Sequence, residues 1–457
     1  MVFFIPLSPG GRGEGRERGG RGSEGLGGAD YDSVITAGGI GMTRIALLSS
    51  EPVRPRMAGI GIRYLELARR LPAEGIDVVL VSPAQPEETA ALGGLERIEI
   101  RRFERGRLAA LLGDCDGAVA QGQLANDLIL EMPSLPVAID LYDPWLIENF
   151  AYTETLGLDP YRNDHATWTL QMACGDFFLC SSEEQRTFYL GFLTALGRVN
   201  PERIEEDPDL ATLIAPVPFG VPDELPPHQP LLPPRAVGEA RLLFGGLYDW
   251  YDPWTLLDAL AALDRPAWTL LLIRNPNPEG TPQRLFAEVE ARCRSLGWWG
   301  SRVQALDWVP AERRYDLLRD VDLLVSPHRP SLETRLSLRT RFLDALAAGC
   351  PVVTSEGGAM SRLLAEHRAG WLVPPGDAAA LARALAEALA QPDSRAAGAR
   401  ELLAAFRWQR VLAPLVRFCR EPRVDATKAR FAARPATVAP PDRLGFRLRR
   451  KLRLWTA

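Results

Sequence analysis

The sequence predicts an α/β protein made of two strand–loop–helix halves, and three observations carry that prediction. First, Thr43 to Ser49 is an apolar run followed by a glycine-bearing loop. A stretch with helical apolar spacing (Ile62, Leu65, Leu67, Ala68, Leu71) and a second apolar run, Asp77 to Val81, come next. That succession is a βαβ unit. Second, a similar series starts with Arg241 to Gly245 and is clearest between Val321 and Gly358. Third, prolines at 216, 218, 222, 226, 227, 230, 233 and 234 separate the two series and read as a stiff linker.

Composition narrows the class. A chain of 457 residues has room for two or three domains, and 46% hydrophobic with 24% charged residues is the balance of a soluble globular enzyme. A net charge of −5 argues against a nucleic-acid partner. Six cysteines stand singly and histidines number only four, so neither a metal site nor a disulfide framework is expected. With no run of eighteen apolar residues, no membrane span is expected, and the chain is read as cytoplasmic. Residues 1–41, rich in Gly, Arg and Glu, cannot bury a core and are expected to be disordered, with folded structure starting near Met42. Arg443 to Arg453 is basic with interleaved Leu and Phe. It reads as a solvated tail or as a peripheral contact with an anionic membrane face.

In the first half, Gly59 and Gly61 lie in the loop after the first strand. They either bring a ligand close to the backbone or simply make a tight turn. Asp114 and Asp116, and likewise Asp320 and Asp322, form D-x-D pairs at the entering ends of strands, where a structural role is expected. Val137 to Asp140 reads as a strand whose leaving end carries Asp140, Tyr142, Asp143 and Trp145. Carboxylates and aromatic faces suit a sugar, so Asp140 or Asp143 is a candidate to bind an acceptor or act as a base; the alternative is an aspartate-capped turn. Ser182 suits a helix start, and Arg198 reads as solvated or cleft-facing.

In the second half, Gly245 and Gly246 follow the first strand and let backbone N–H groups approach a phosphate. Arg274 ends the next strand and is a phosphate candidate. Trp308 either stacks on a base or packs under its loop. The stretch from Val321 to Gly358 reads as strand, loop, helix, strand, loop. Its loop holds Glu333, Ser337, Arg339 and Arg341. The helix is expected from Leu338 to Ala347, and Gly357 and Gly358 follow the next strand. Ligands of an open parallel sheet bind beyond the carboxyl ends of its strands, so this loop is suited to a sugar and a phosphate. Helical alternation would put Arg339 and Arg341 on different faces.

The segment Leu343-Asp344-Ala345-Leu346-Ala347-Ala348-Gly349-Cys350-Pro351-Val352-Val353 resembles the LEAMAxGxPVV segment of retaining GT-B glycosyltransferases of the group 1, family-four type. Trp371 to Asp377 is similar to that family's GxLVPPGD turn. The resemblance is specific over 241–377 and diffuse over 43–220. It implies two Rossmann-like domains facing a cleft. The boundaries are residues 42–222 on the acceptor side, a linker at 223–240, a donor-nucleotide domain at 241–420 whose last helices cross back, and a tail at 421–457.

The resemblance further implies transfer of a sugar from a nucleotide-sugar donor to an acceptor hydroxyl, with retention and without metal or other cofactor, in polysaccharide or glycolipid synthesis. The acceptor would be a glycan, a lipid-linked sugar or a small molecule. Asp344 holds the position of the family's second acid, which contacts ribose. The position of the first acid, eight residues earlier, is Leu336, so Glu333 is the candidate for the donor sugar. The basic pair usual after the glycine turn is replaced by Tyr248, Asp249, Trp250 and Asp252, which leaves Arg274 and Arg339 as phosphate ligands. A nucleotide-sugar epimerase and a non-catalytic carbohydrate-binding relative are the alternatives.

Overall fold

The computed structural model describes residues 42–263, 267–274 and 284–432. The N-terminal glycine-rich stretch and the basic segment at 443–453 lie outside the described residues.

The first half is a seven-stranded parallel sheet, β1 (Arg44–Leu48), β2 (Asp77–Ser82), β3 (Glu99–Arg102), β4 (Gly117–Ala120), β5 (Val137–Asp140), β6 (Phe177–Cys180) and β7 (Ile214–Pro216). Their spatial order is 3-2-1-4-5-6-7. β1 lies between β2 (Ile45 opposite Val78) and β4 (Leu47 opposite Val119). The second half has six parallel strands, β8 (Ala240–Phe244), β9 (Trp268–Ile273), β10 (Val303–Leu306), β11 (Leu323–Ser326), β12 (Val352–Ser355) and β13 (Trp371–Val373), in the order 10-9-8-11-12-13. β4, β5, β6, β8, β11 and β12 are buried along their whole length. Helices cover both faces of such sheets, so the central strands read as unbroken apolar runs rather than alternating ones. β3, β7 and β13 are edge strands that the sequence reading did not identify. The first is Glu-Ile-Arg-Arg with both ends exposed, and it offers no apolar run to find.

In both sheets the strand order reverses next to the first strand, between β1 and β4 and between β8 and β11. Crevices open beyond the carboxyl ends at such switch points.

The chain passes between the halves twice. After β7 it runs through the proline-rich passage, which acidic groups at the entering end of β11 hold down. Asp320 accepts from the backbone N–H groups of Leu231 (2.6 Å) and Leu232 (2.9 Å), and Asp322 accepts from that of Arg241 (2.8 Å). The D-x-D pairs are therefore structural; at the other one, Asp116 accepts from the N–H of Arg44. The return passage lies beside the first. Val221 and Arg407 form a parallel bridge, and the Trp408 ring fills the space a side chain on Gly220 would need.

The final helices pack on the N-terminal sheet. Phe418 stacks on Phe177 at 5.5 Å, and Asp425 binds Arg198 (2.7 Å) and Arg203 (2.6 Å). Arg198 is thus neither solvated nor in the cleft, as had been expected. It is fully buried, and its other side-chain hydrogen bonds are to the carbonyls of Met172 and Ala173. No described helix is long and apolar enough to cross a membrane.

Candidate active site

Three adjoining cavities occupy the crevice between the strand ends of the two halves. The largest, about 660 Å³, is lined by Glu51, Gly59, Asp143 and Glu148 from the first half and by Tyr248, Ser337, Arg339 and Arg341 from the second. One of about 200 Å³ continues it past Gly245 and Gly246 towards Trp308 and Asp344. One of about 370 Å³ continues it on the other side, past Gln121 and Trp145. Arg341, Thr340 and Tyr248 line both the first and the second cavity, so they stand at the junction.

The loop after β1 holds only one of its two glycines, Gly59, open to the crevice. The helix begins at Gly59, three residues earlier than expected, and runs to Arg70. The side chain of Glu51 accepts from the N–H of Ala58 (2.7 Å) and of Gly61 (2.8 Å). The positive end of the helix is therefore occupied by the protein's own carboxylate. Gly61 is packed against Met57 and lines none of the three cavities; Gly59 does face the crevice.

Asp140 is not a cleft residue. It is 1% exposed and takes a two-pronged ion pair from Arg63 of that helix, Nε to Oδ2 at 2.7 Å and Nη2 to Oδ1 at 3.1 Å. A buried guanidinium needs a partner with matching geometry, and the strand-terminal aspartate supplies it. Asp143, three residues further on, does line the cleft. Its loop is held by Gln185, which donates to the Tyr142 carbonyl (2.9 Å) while accepting from the N–H of Ser181 (2.8 Å). The Tyr142 hydroxyl donates across the crevice to the Leu338 carbonyl at 3.1 Å.

Burial, then the charge of Asp140, pushes the Asp143 carboxyl up to about 7, against the opposing pull of Arg63. Glu148, which the sequence reading passed over, faces the same cavity. Burial, then the charges of Asp143 and Glu333, raises it well above the ordinary carboxylate range. Its sequence signal was an acid directly after the apolar Trp145-Leu146-Ile147.

On the second half the helix expected from Leu338 starts two residues later, and the loop expected before it carries a short helix of its own. One spans Leu332–Leu336 and the other Thr340–Ala347, with Ser337 to Arg339 extended between them. Arg339 therefore precedes the helix, and the alternation of helical faces does not apply to it. Its guanidinium and that of Arg341 both lie 5.4 Å from the centre of the Tyr251 ring. His328 lies beneath, 4.8 Å from the same ring. Burial, then the charges of Arg339 and Arg341, pushes its pKa well below 6.5, so it is neutral.

The two arginines differ in one respect. Arg339 is paired with Glu333 at 2.6 Å. Glu333 is 4% exposed and lies behind Arg339, lining none of the three cavities, so it does not reach the cleft as expected of a donor-sugar ligand. A desolvated guanidinium at this depth needs a counter-charge, and Glu333 provides it. Arg341 has no ion-pair partner among the described residues, and its buried Nη1 donates no hydrogen bond to any of them. Ser337 Oγ is also buried and without a hydrogen bond. Gly245 is needed for Arg341 itself: a Cβ on Gly245 would stand 2.8 Å from Nη1.

Of the remaining predicted residues, Gly246, Trp308 and Asp344 line the small cavity. Asp344 is 3.3 Å from Arg314, a cavity residue that the sequence reading did not single out. Arg274 is exposed and lies against Phe286 at 5.3 Å, outside all three cavities. Gly357 and Gly358 also lie outside them. Gly358 lets the next helix start pack against the Thr334 carbonyl, which a Cβ would meet at 2.8 Å. Among the described residues, no group of three or more potential ligands is arranged to hold a metal ion.

Two parallel α/β sheets with their switch points facing a shared crevice are the GT-B architecture. Residues 240–391 match the family model of the Glycosyl transferases group 1. A D-inositol 3-phosphate glycosyltransferase from Jonesia denitrificans is 29% identical over 201 residues, which is 42% of this chain and 45% of that protein. The match thus spans less than half of the relative's length. Among solved structures, sucrose-phosphate synthase from Thermosynechococcus elongatus superposes with a TM-score of 0.59 at 18% identity, covering 83% of this chain and 98% of the other. Anabaena HepE in complex with UDP-glucose gives 0.58 at 16% identity, with 81% and 99% covered.

Proposed function

We propose that the chain is a glycosyltransferase that moves a sugar from a nucleotide-sugar donor to an acceptor hydroxyl. The observation that carries this reading is the position of Arg341, a cation without an acidic partner at the junction of the two donor-side cavities. A diphosphate there would join a nucleoside in the small cavity to a sugar in the large one. Trp308 offers a face to the base and Asp344 a carboxylate to the ribose. The backbone at Gly245 and Gly246, with Arg341 and the already neutralised Arg339, would stabilise charge on the departing diphosphate. These groups supply the positive field without a metal ion. The relative named for transfer to an inositol phosphate and the neighbour solved with UDP-glucose support the same class of reaction and donor.

Asp143, poised near neutrality, is placed to receive the acceptor's proton or hold its hydroxyl. Retention of anomeric configuration, and a role in polysaccharide or glycolipid synthesis with peripheral contact at the inner membrane face, complete the proposal.

The test is a thermal-shift panel of nucleoside diphosphates and nucleotide sugars on wild type and Arg341→Ala. Ligand present at a hundred times its Kd stabilises by about 2.7 kcal/mol. Selective stabilisation by one nucleotide, lost in the variant, is the expected result. No stabilisation by any nucleotide overturns the reading in favour of a carbohydrate-binding protein. With the donor identified, the anomeric configuration of the product separates retention from inversion, and a product that is an isomerised nucleotide sugar would mark an epimerase.

A further inference from the structure

The cavity of about 370 Å³ lies on the side of the crevice away from Arg341, and shares Asp143 and Glu148 with the main cavity. Its acidic lining residues are Asp143, Glu148 and Asp164; no lysine, arginine or histidine lines it among the described residues. The nearby cations are already committed: Arg63 is closed onto Asp140, and Arg339 onto Glu333.

Its neutral groups are incompletely used. Gln121 is 2% exposed, and its side-chain carbonyl accepts no hydrogen bond among the described residues. The carbonyl of Gln123 is also unused, although its amide donates to Thr167 at 2.7 Å. The buried indole N–H of Trp145 has no acceptor. Buried polar atoms seldom go unpaired, so these point to a ligand that both donates and accepts hydrogen bonds. A hydroxyl does both. A phosphate or carboxylate oxygen has no proton for Gln121 or Gln123 and, above about pH 7, would stand beside the ionised Asp143.

We infer that this pocket receives an uncharged, hydroxyl-rich part of the acceptor and rejects a phosphate or carboxylate there. Calling the occupant an acceptor rests on the glycosyltransferase reading; the charge preference of the pocket does not.

The test is ligand-observed NMR titration of the full chain, saturated with UDP, using glucose and glucose 6-phosphate at pH 8. Glucose should bind at least tenfold more tightly than its phosphate, and Gln121→Leu should weaken glucose at least fivefold. In the double variant Asp143→Asn, Glu148→Gln the preference should narrow to threefold or less. Equal or tighter binding of the phosphate, no binding of either sugar, or a preference that the double variant leaves unchanged each overturns the inference. A UDP titration on the same samples reports on the donor side separately. Absence of UDP binding counts against a uridine donor and leaves the sugar comparison valid.

Discussion

Arg63 and Asp140 are joined side to side, Nε to Oδ2 and Nη2 to Oδ1, with both side chains almost wholly out of solvent. The pair ties the first helix to the end of β5, directly behind the loop that presents Asp143. A strand-terminal acid that looked catalytic is in fact the anchor that sets the position of its neighbour.

Removing the anchor should show in stability rather than in chemistry. Asp140→Asn leaves a buried guanidinium without its counter-charge, a change that costs about 3–5 kcal/mol. Urea denaturation should show a loss of that size. Transfer per folded molecule should stay within a few-fold, whereas Asp143→Asn should lower it by roughly 10²–10⁴.

Asp143 should also give the protein a pH signature. Its carboxyl is raised to about 7, so between about pH 4 and 7 the folded state holds a proton that the unfolded chain has released. That stabilisation is full below pH 4 and is lost as the pH rises towards 7. The melting temperature of Asp143→Asn should therefore gain on wild type across this window. In wild type kcat/KM should rise with pH and level off above about 7. With Glu148 coupled to it, the profile reports the pair rather than either group alone.

Gly245→Ala tests the donor side by displacement. The added methyl meets the flexible end of Arg341, so the protein should fold while the guanidinium moves. Calorimetric affinity for the cognate nucleoside diphosphate should fall about tenfold, the loss expected of roughly one charge-assisted hydrogen bond. Arg274→Ala, an exposed position outside the cavities, should leave that affinity unchanged.

Asp425 predicts an acid sensitivity. Against the upward push of burial, its hydrogen bond to Arg198 and the charge of that group hold it down at about 2. The stability this contributes is complete above about pH 4 and is lost as the pH falls towards 2. Asp425→Asn should lower stability at neutral pH and flatten the acid limb of the denaturation curve measured between those values.

The central strands were legible because they are apolar throughout. The crevice was legible because its residues follow strand ends. What failed was pairing. Arg63 lies among Ile62, Tyr64 and Leu65, a position that should have marked it as buried, but the identity of its partner depends on the sheet order. Arg198 and Asp425 have no local signal at all. Glu333 and Arg339 were both identified as site residues, and only the structure shows that each cancels the other. The helix start was placed two residues early because Leu338 keeps the apolar spacing of Thr340–Ala347.

The return of the chain to its first sheet has a consequence for how the molecule is made. Arg198 waits for Asp425, 227 residues later in the chain. At about 5–20 residues per second on the ribosome, that is an interval of roughly ten to forty-five seconds. Throughout it the first half holds an unpaired guanidinium in its interior and lacks the Phe418 ring that covers Phe177. The order of synthesis and the order of completion are therefore opposed. The half that emerges first is finished last, and a nascent chain stalled before Asp425 would present an incomplete N-terminal sheet to chaperones and proteases.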